Sequence, residues 1–153
     1  MFPWRGSSGR LALSADGVRD LGHEHEIDRW HIVETHPEIG DKLLEPLNRL
    51  AGARPIVRHH HERWDGNGYP DRLAAEAIPL AARVVAVADS IEVMSSRQLY
   101  RKPLTPEGIV DELRAQRARQ WDPEVVDVAL ALIESGELVL STDGLRLLER
   151  VVA

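Results

Sequence analysis

His59-His60-His61-Glu62-Arg63-Trp64-Asp65-Gly66-Asn67-Gly68-Tyr69-Pro70 is the stretch on which the reading of this chain turns. Three consecutive imidazoles run into a glycine-rich turn closed by proline. Neutral imidazole is the commonest protein metal ligand, and neighbouring residues on a helix point about 100° apart at ~3.6 residues per turn. Adjacent histidines can therefore serve two metal ions lying side by side, or one ion and a second role. The bland alternative is a solvated, basic stretch of surface followed by a turn. A carboxylate further along the chain favours the metal reading.

That carboxylate lies on the most regular segment of the sequence. Pro79 opens a helix in which Leu80, Val84, Val87, Ile91 and Met94 make one stripe, while Ala81, Ala82, Val85, Ala86 and Ala88 fill the other sides. A helix apolar almost all round belongs in the centre of a fold. Towards its expected end stands Val87-Ala88-Asp89. A carboxylate in such surroundings is costly to bury unless something pairs with it. Arg83 is six positions away and on a different face, so it is a poor partner along the helix. Alone, Asp89 reads as half of an ion pair. Together with His60 and His61 it reads as a metal ligand.

Outward from these two features the pattern stays helical. Pro55, Ile56 and Val57 lead a short helix carrying the histidines, and Asp65 to Pro70 is a loop on composition. Upstream, Ile39, Leu43, Leu44, Leu47 and Leu50 fall at helical spacing, after an amphipathic stretch with Ile27, Trp30 and Val33. Pro37 is expected where one helix ends or bends. Downstream, Thr105-Pro106-Glu107 and Asp122-Pro123-Glu124 announce two helices by a capping oxygen followed by proline. Beyond Ser135-Gly136, Leu138, Leu140, Leu145, Leu147 and Leu148 suit either a hairpin around Asp143-Gly144 or a last short helix. The fold class is all-α, with a short irregular or hairpin C-terminal tail.

Composition sets the bounds. The chain has 153 residues, enough for one domain with a real core and no room for a second. It has no cysteine, so any metal must sit on nitrogen and oxygen ligands. A net charge of −6 argues against DNA, RNA and anionic membrane surfaces as partners. No apolar run reaches the ~18–20 residues of a membrane span. The opening residues Met1 to Gly9 lack the apolar core of a signal peptide, and the expected location is cytoplasmic.

From His36 to about Val126 the sequence resembles the HD-GYP family of metal-dependent phosphodiesterases, a branch of the HD phosphohydrolases. The matching pieces are His36-Pro37-Glu38-Ile39-Gly40, the His60 to Pro70 run, and Ile78-Pro79-Leu80-Ala81-Ala82-Arg83-Val84. They continue with Val87-Ala88-Asp89, Tyr100-Arg101-Lys102 and Asp122-Pro123-Glu124. The resemblance implies a helical bundle holding two or three metal ions, iron or manganese first. It implies hydrolysis of cyclic di-GMP, or a related cyclic dinucleotide, by a metal-activated water. His36, His60, His61 and Asp89 match four of the family's metal ligands. Asp65, Gly66, Gly68, Tyr69 and Pro70 match the loop beside the site, and Arg101 matches a basic position that contacts substrate phosphate. For Trp64, packing around the loop is the preferred role.

Departures from the family pattern carry expectations of their own. Residues 1–35 read as a degenerate start and 137–153 as a tail. The family's His-Asp pair, whose carboxylate bridges the metals, would fall at Gly6 and Ser7. An upstream helix with further ligands would precede Met1. Gln98 replaces a phosphate-binding Arg and Leu99 a Pro, with Arg97 as a neighbouring substitute; Glu92 stands where Asp is common. His23, His25 and His31 are further candidate ligands, although a His/Glu mixture such as His23-Glu24-His25-Glu26 is usually a solvated segment. Fewer ions than the full family site are expected. The alternative to an enzyme is an inactive module that binds a nucleotide, or a protein partner through the Gly-Tyr-Pro loop. Apolar surface left bare by the missing helices would favour a homodimer.

Overall fold

Two helices begin where a side-chain oxygen and a proline stand together in the sequence. The Oγ1 of Thr105 accepts the N–H of Gly108 at 3.2 Å, and the Oδ1 of Asp122 accepts that of Glu124 at 2.8 Å. Each satisfies a donor that the first helical turn leaves open, and each proline occupies a position whose N–H has no helical partner. The helices that follow are Pro106–Gln116 and Pro123–Glu134, α4 and α5.

The computed structural model describes residues 23–96, 102–141 and 144–147, with side chains over 34–96 and 102–140. Within them, α1 spans His23–Leu44, α2 spans Arg54–His59 and α3 spans Leu80–Ser95. Short 3-10 turns cover Asn48–Ala53 and Ala75–Ala77. The chain closes on β1, Leu138–Ser141, paired antiparallel with β2, Gly144–Leu147, so that Leu138 faces Leu147. The tail is thus a hairpin, and β1 packs on α5 while β2 packs on α3.

The core is built by three helices and one connection. Val87, Ile91 and Met94 of α3 meet Ile109 and Leu113 of α4, Val126 and Ala129 of α5, and Trp121 just before α5. Burying each large apolar side chain contributes about 1.5–3 kcal/mol. The Trp121 indole N–H donates to Ser90 Oγ at 3.1 Å, and that hydroxyl donates to the Ala86 carbonyl at 2.7 Å. The ring is therefore buried without stranding its polar atom.

Three expectations are corrected. Of the two expectations at Pro37, a helix end or a bend, the end is overturned: Pro37 lies inside α1, with its ring fully buried. The packing of that ring accompanies the hydrogen bond that proline cannot make. The α3 stripe is central only in its second half. Leu80 is 60% and Val84 47% exposed, whereas Val87 and Ile91 are buried, and the helix runs past Asp89 to Ser95. Upstream, Ile39, Leu43, Leu47 and Leu50 are all substantially exposed. The helix stops at Leu44 and the chain turns through a 3-10 segment, so their shared periodicity never becomes a single buried face.

Candidate metal centre

Three histidines from two segments converge. His36 projects from α1, His60 follows the last residue of α2, and His61 stands one residue further on. Close approach of the two helices depends on Gly40, one turn beyond His36. A Cβ at that position would lie 2.6 Å from Val57 Cγ1 of α2, closer than atoms can pack. The Nε2 of His61 lies 2.9 Å from that of His36, and the Nε2 of His60 lies 3.4 Å from it.

The surroundings of His60 and His61 favour the neutral, ligating form. The His60 Nδ1 lies 2.8 Å from the Val57 carbonyl. A carbonyl can only accept, so this nitrogen carries the proton and Nε2 keeps its lone pair in the neutral ring. Burial lowers the pKa of His60, partly offset by that carbonyl. His61 is 6% exposed, and burial, aided by His60 and His36, pushes its pKa down to about 2. A buried, neutral His61 beside the half-buried His60 and the exposed His36, with converging ring nitrogens and no thiol in the chain, suits a divalent cation. His36, His60 and His61 form a group whose donor atoms all lie within 4.8 Å of one another.

Asp89 acts on this group through its charge. It is half-buried on α3, and its negative charge favours the protonated form of both His60 and the Tyr69 hydroxyl. Its carboxylate is not among the donors lying within 4.8 Å of one another. The fourth expected ligand is therefore close in field and not gathered with the three imidazoles.

The loop from Asp65 to Pro70 forms one wall of a cavity of about 500 Å³. Gly66, Gly68, Tyr69 and Pro70 face Glu34 and Glu38 of α1 across it. The Tyr69 ring lies 5.0 Å from that of His61, joining the cavity to the histidines. Burial raises the Tyr69 pKa, so its hydroxyl stays protonated. Gly68 is required by space: a Cβ there would overlap the backbone of Glu62 and Arg63. Asp65 is engaged structurally, pairing with Arg63 at 2.6 Å and accepting the Asn67 N–H at 3.1 Å. Trp64 is half-buried behind the loop, in the packing role expected of it.

Arg97, Gln98, Leu99 and Arg101, and also Gly6 and Ser7, lie outside the described residues, as do the side chains of His23, His25 and His31.

Sequence reasoning missed a second cluster. His59, Glu62 and Asp71 also bring donor atoms within 4.8 Å of one another. Glu62 accepts the N–H groups of Asp71 and Leu73 at 2.7 and 3.1 Å, and Arg58 holds Asp71 through two bonds of 2.7 Å. With its oxygens taken by a guanidinium and backbone amides, the cluster clamps the loop to α2. Glu34 and Glu38 were missed as well; their spacing about His36, on one face of a helix, was the available signal.

Comparison with known proteins places the chain in a family. The sequence matches the HD domain family over residues 23–125. It is 43% identical over 124 residues to the cyclic di-GMP phosphodiesterase response regulator RpfG of Xanthomonas campestris pv. campestris, covering 80% of this chain and 32% of that protein. It is 36% identical over 124 residues to the 3'3'-cGAMP-specific phosphodiesterase 2 of Vibrio cholerae, covering 80% of this chain and 24% of that protein. The crystal structure of a V. cholerae cyclic GMP-AMP specific phosphodiesterase, V-cGAP3, superposes with a TM-score of 0.54 at 22% identity. That match covers 74% of this chain and 25% of the other, and shows the shared fold.

The all-α bundle places the chain in the HD class, whose phosphohydrolases are metal-dependent, and its three gathered histidines are a group that could hold a metal ion. The chain belongs to the HD domain family, in its HD-GYP branch. It spans about a quarter to a third of the length of these relatives. Among the described residues no helix is long and apolar enough to cross a membrane.

Proposed function

We propose that this chain is a metal-dependent phosphodiesterase domain acting on a cyclic dinucleotide, cyclic di-GMP first. The observation that carries this is the convergence of the His36, His60 and His61 Nε2 atoms beside the Gly-Tyr-Pro cavity. Those three histidines, with Asp89 approaching from α3, would hold iron or manganese. When bound, such an ion lowers the pKa of a water and neutralises phosphate charge. The chain's own residues do the rest. Val57 fixes the His60 tautomer, Tyr69 offers a protonated hydroxyl at the cavity wall, and Gly66, Gly68 and Pro70 shape the wall against which the dinucleotide lies. Arg97 and Arg101 are the cations proposed for its phosphates. The names of the relatives, which act on cyclic di-GMP or cyclic GMP-AMP, support the substrate class.

The test is to load the protein anaerobically with Fe(II) or Mn(II), count ions per chain, and follow cyclic di-GMP by chromatography. Appearance of linear dinucleotide or GMP, abolished in His61→Ala, supports the reading. A loaded protein that leaves the substrate intact overturns it.

One observation favours a second reading. Three imidazoles gather while Asp89 stays outside their group, and the sequence has Gly6 and Ser7 where the family's bridging carboxylate belongs. On this reading the chain binds a cyclic dinucleotide, or a protein partner through the Gly-Tyr-Pro loop, without turning substrate over. Retention of cyclic di-GMP with no product after metal loading is its signature.

A further inference from the structure

Arg83 ties together the two parts of the fold that carry the candidate ligands. It sits in the first turn of α3, six positions before Asp89. Its Nη1 donates to the Asp122 Oδ2 at 2.5 Å, and the two side chains are 15% and 1% exposed. Its guanidinium carbon also lies 5.7 Å from the centre of the Trp64 ring. Trp64 in turn belongs to the loop that follows His61. Its N–H donates to the Gln120 carbonyl at 3.1 Å, and its carbonyl accepts the Ala75 N–H at 3.0 Å. One side chain therefore joins the helix bearing Asp89, to which it belongs, with the loop that follows His61 and with the start of α5.

We propose that Arg83 is a positioning residue for the metal centre: with Asp122 and Trp64 it sets how far α3, and so Asp89, stands from the histidine-bearing loop. This inference rests on the metal reading given above. Three points favour it over a purely cohesive role. Asp122 already caps α5 through its other oxygen, so the helix start does not need Arg83. A buried ion pair contributes little net stability compared with apolar packing of the same volume. The buried Arg83 Nε has no hydrogen-bond partner among the described residues, a defect that stability alone disfavours. What the planar cation provides is geometry: one edge fixed on a carboxylate and a face lying over a ring.

The test compares Mn(II) affinity, read by electron paramagnetic resonance of the free ion, with the thermal midpoint. In the double variant Arg83→Met/Asp122→Asn the pair is removed without leaving a bare buried charge. Its expected phenotype is a folded protein whose Mn(II) dissociation constant rises at least 10-fold. Arg83→Lys keeps the charge and gives up the planar face, so a smaller rise is expected. Leu113→Ala, a core change on α4 outside the Arg83, Asp122 and Trp64 set, is the control for general loosening, and a smaller rise than in the double variant is expected. Wild-type affinity in whichever Arg83 variant folds overturns the inference, as does an equal loss in Leu113→Ala. If the unaltered protein takes up no Mn(II), the metal reading itself falls, which is a separate and distinguishable result.

Discussion

The Nε2 atoms of His36 and His61 stand 2.9 Å apart, although their segments are 25 positions apart in the chain. Two imidazole lone pairs at that distance repel unless a proton or a cation lies between them, and burial holds His61 neutral. Replacing His61 by alanine removes the most buried of the three donors. The expected result is a weakening of Mn(II) binding beyond the ~10–100-fold that loss of an outer-shell partner produces. Equilibrium dialysis with elemental analysis measures it, and unchanged metal content would sink the ligand assignment.

Gly68 offers a steric prediction. A methyl group there meets the backbone of Glu62 and Arg63, which cannot swing aside as a side chain would. Gly68→Ala should destabilise the protein by roughly 1–3 kcal/mol, in the range of overpacked sites. Denaturant titration gives the number; a wild-type midpoint would show that the loop relaxes freely.

Leu113 is fully buried between α3 and α5. Leu113→Ala should cost about 2–5 kcal/mol through lost burial and the cavity left behind. Urea unfolding followed by circular dichroism is sufficient to check it.

The pH dependence follows from Asp71. Two bonds from Arg58 hold its carboxyl below the ordinary value of 3.8. A depressed carboxylate contributes stability that is present above the unfolded-state value and lost as pH falls through the folded one. Wild type and Asp71→Asn should therefore differ most in thermal midpoint above pH 3.8 and converge below it. Because the pair is about one-third exposed, the difference should not exceed about 1 kcal/mol. A constant gap down to the lowest pH would assign the effect to something other than charge.

Local signals in the sequence carried well and long-range ones did not. Thr105 and Asp122 mark helix starts because a cap and its target lie within a few residues of each other. The loop from Asp65 to Pro70 was legible for the same reason, through glycine and proline. Pro37 misled because its cost is local while the packing that accompanies it is tertiary. Leu80 and Val84 misled because periodicity says which residues share a face, not whether anything covers it. Of the site, His36, His60 and His61 were found from spacing and resemblance. The Arg83 partner was not, since Asp122 lies 39 positions away and on another helix.

Among the residues whose side chains are described, the buried core cluster draws on α3, α4, α5 and Trp121 and on none of α1. Among the described residues α1 meets chiefly α2 and the 3-10 turn before it. A bound cation shared by His36 and His61 would thus act as a rivet between a lever and a block. Opening of α1 would need only its own contacts to part in the ion-free protein, and the full binding free energy besides once the ion is in place. Hydrogen exchange should register this as slow amides in α1 that appear on loading with Mn(II), while those of α4 keep the rates they had.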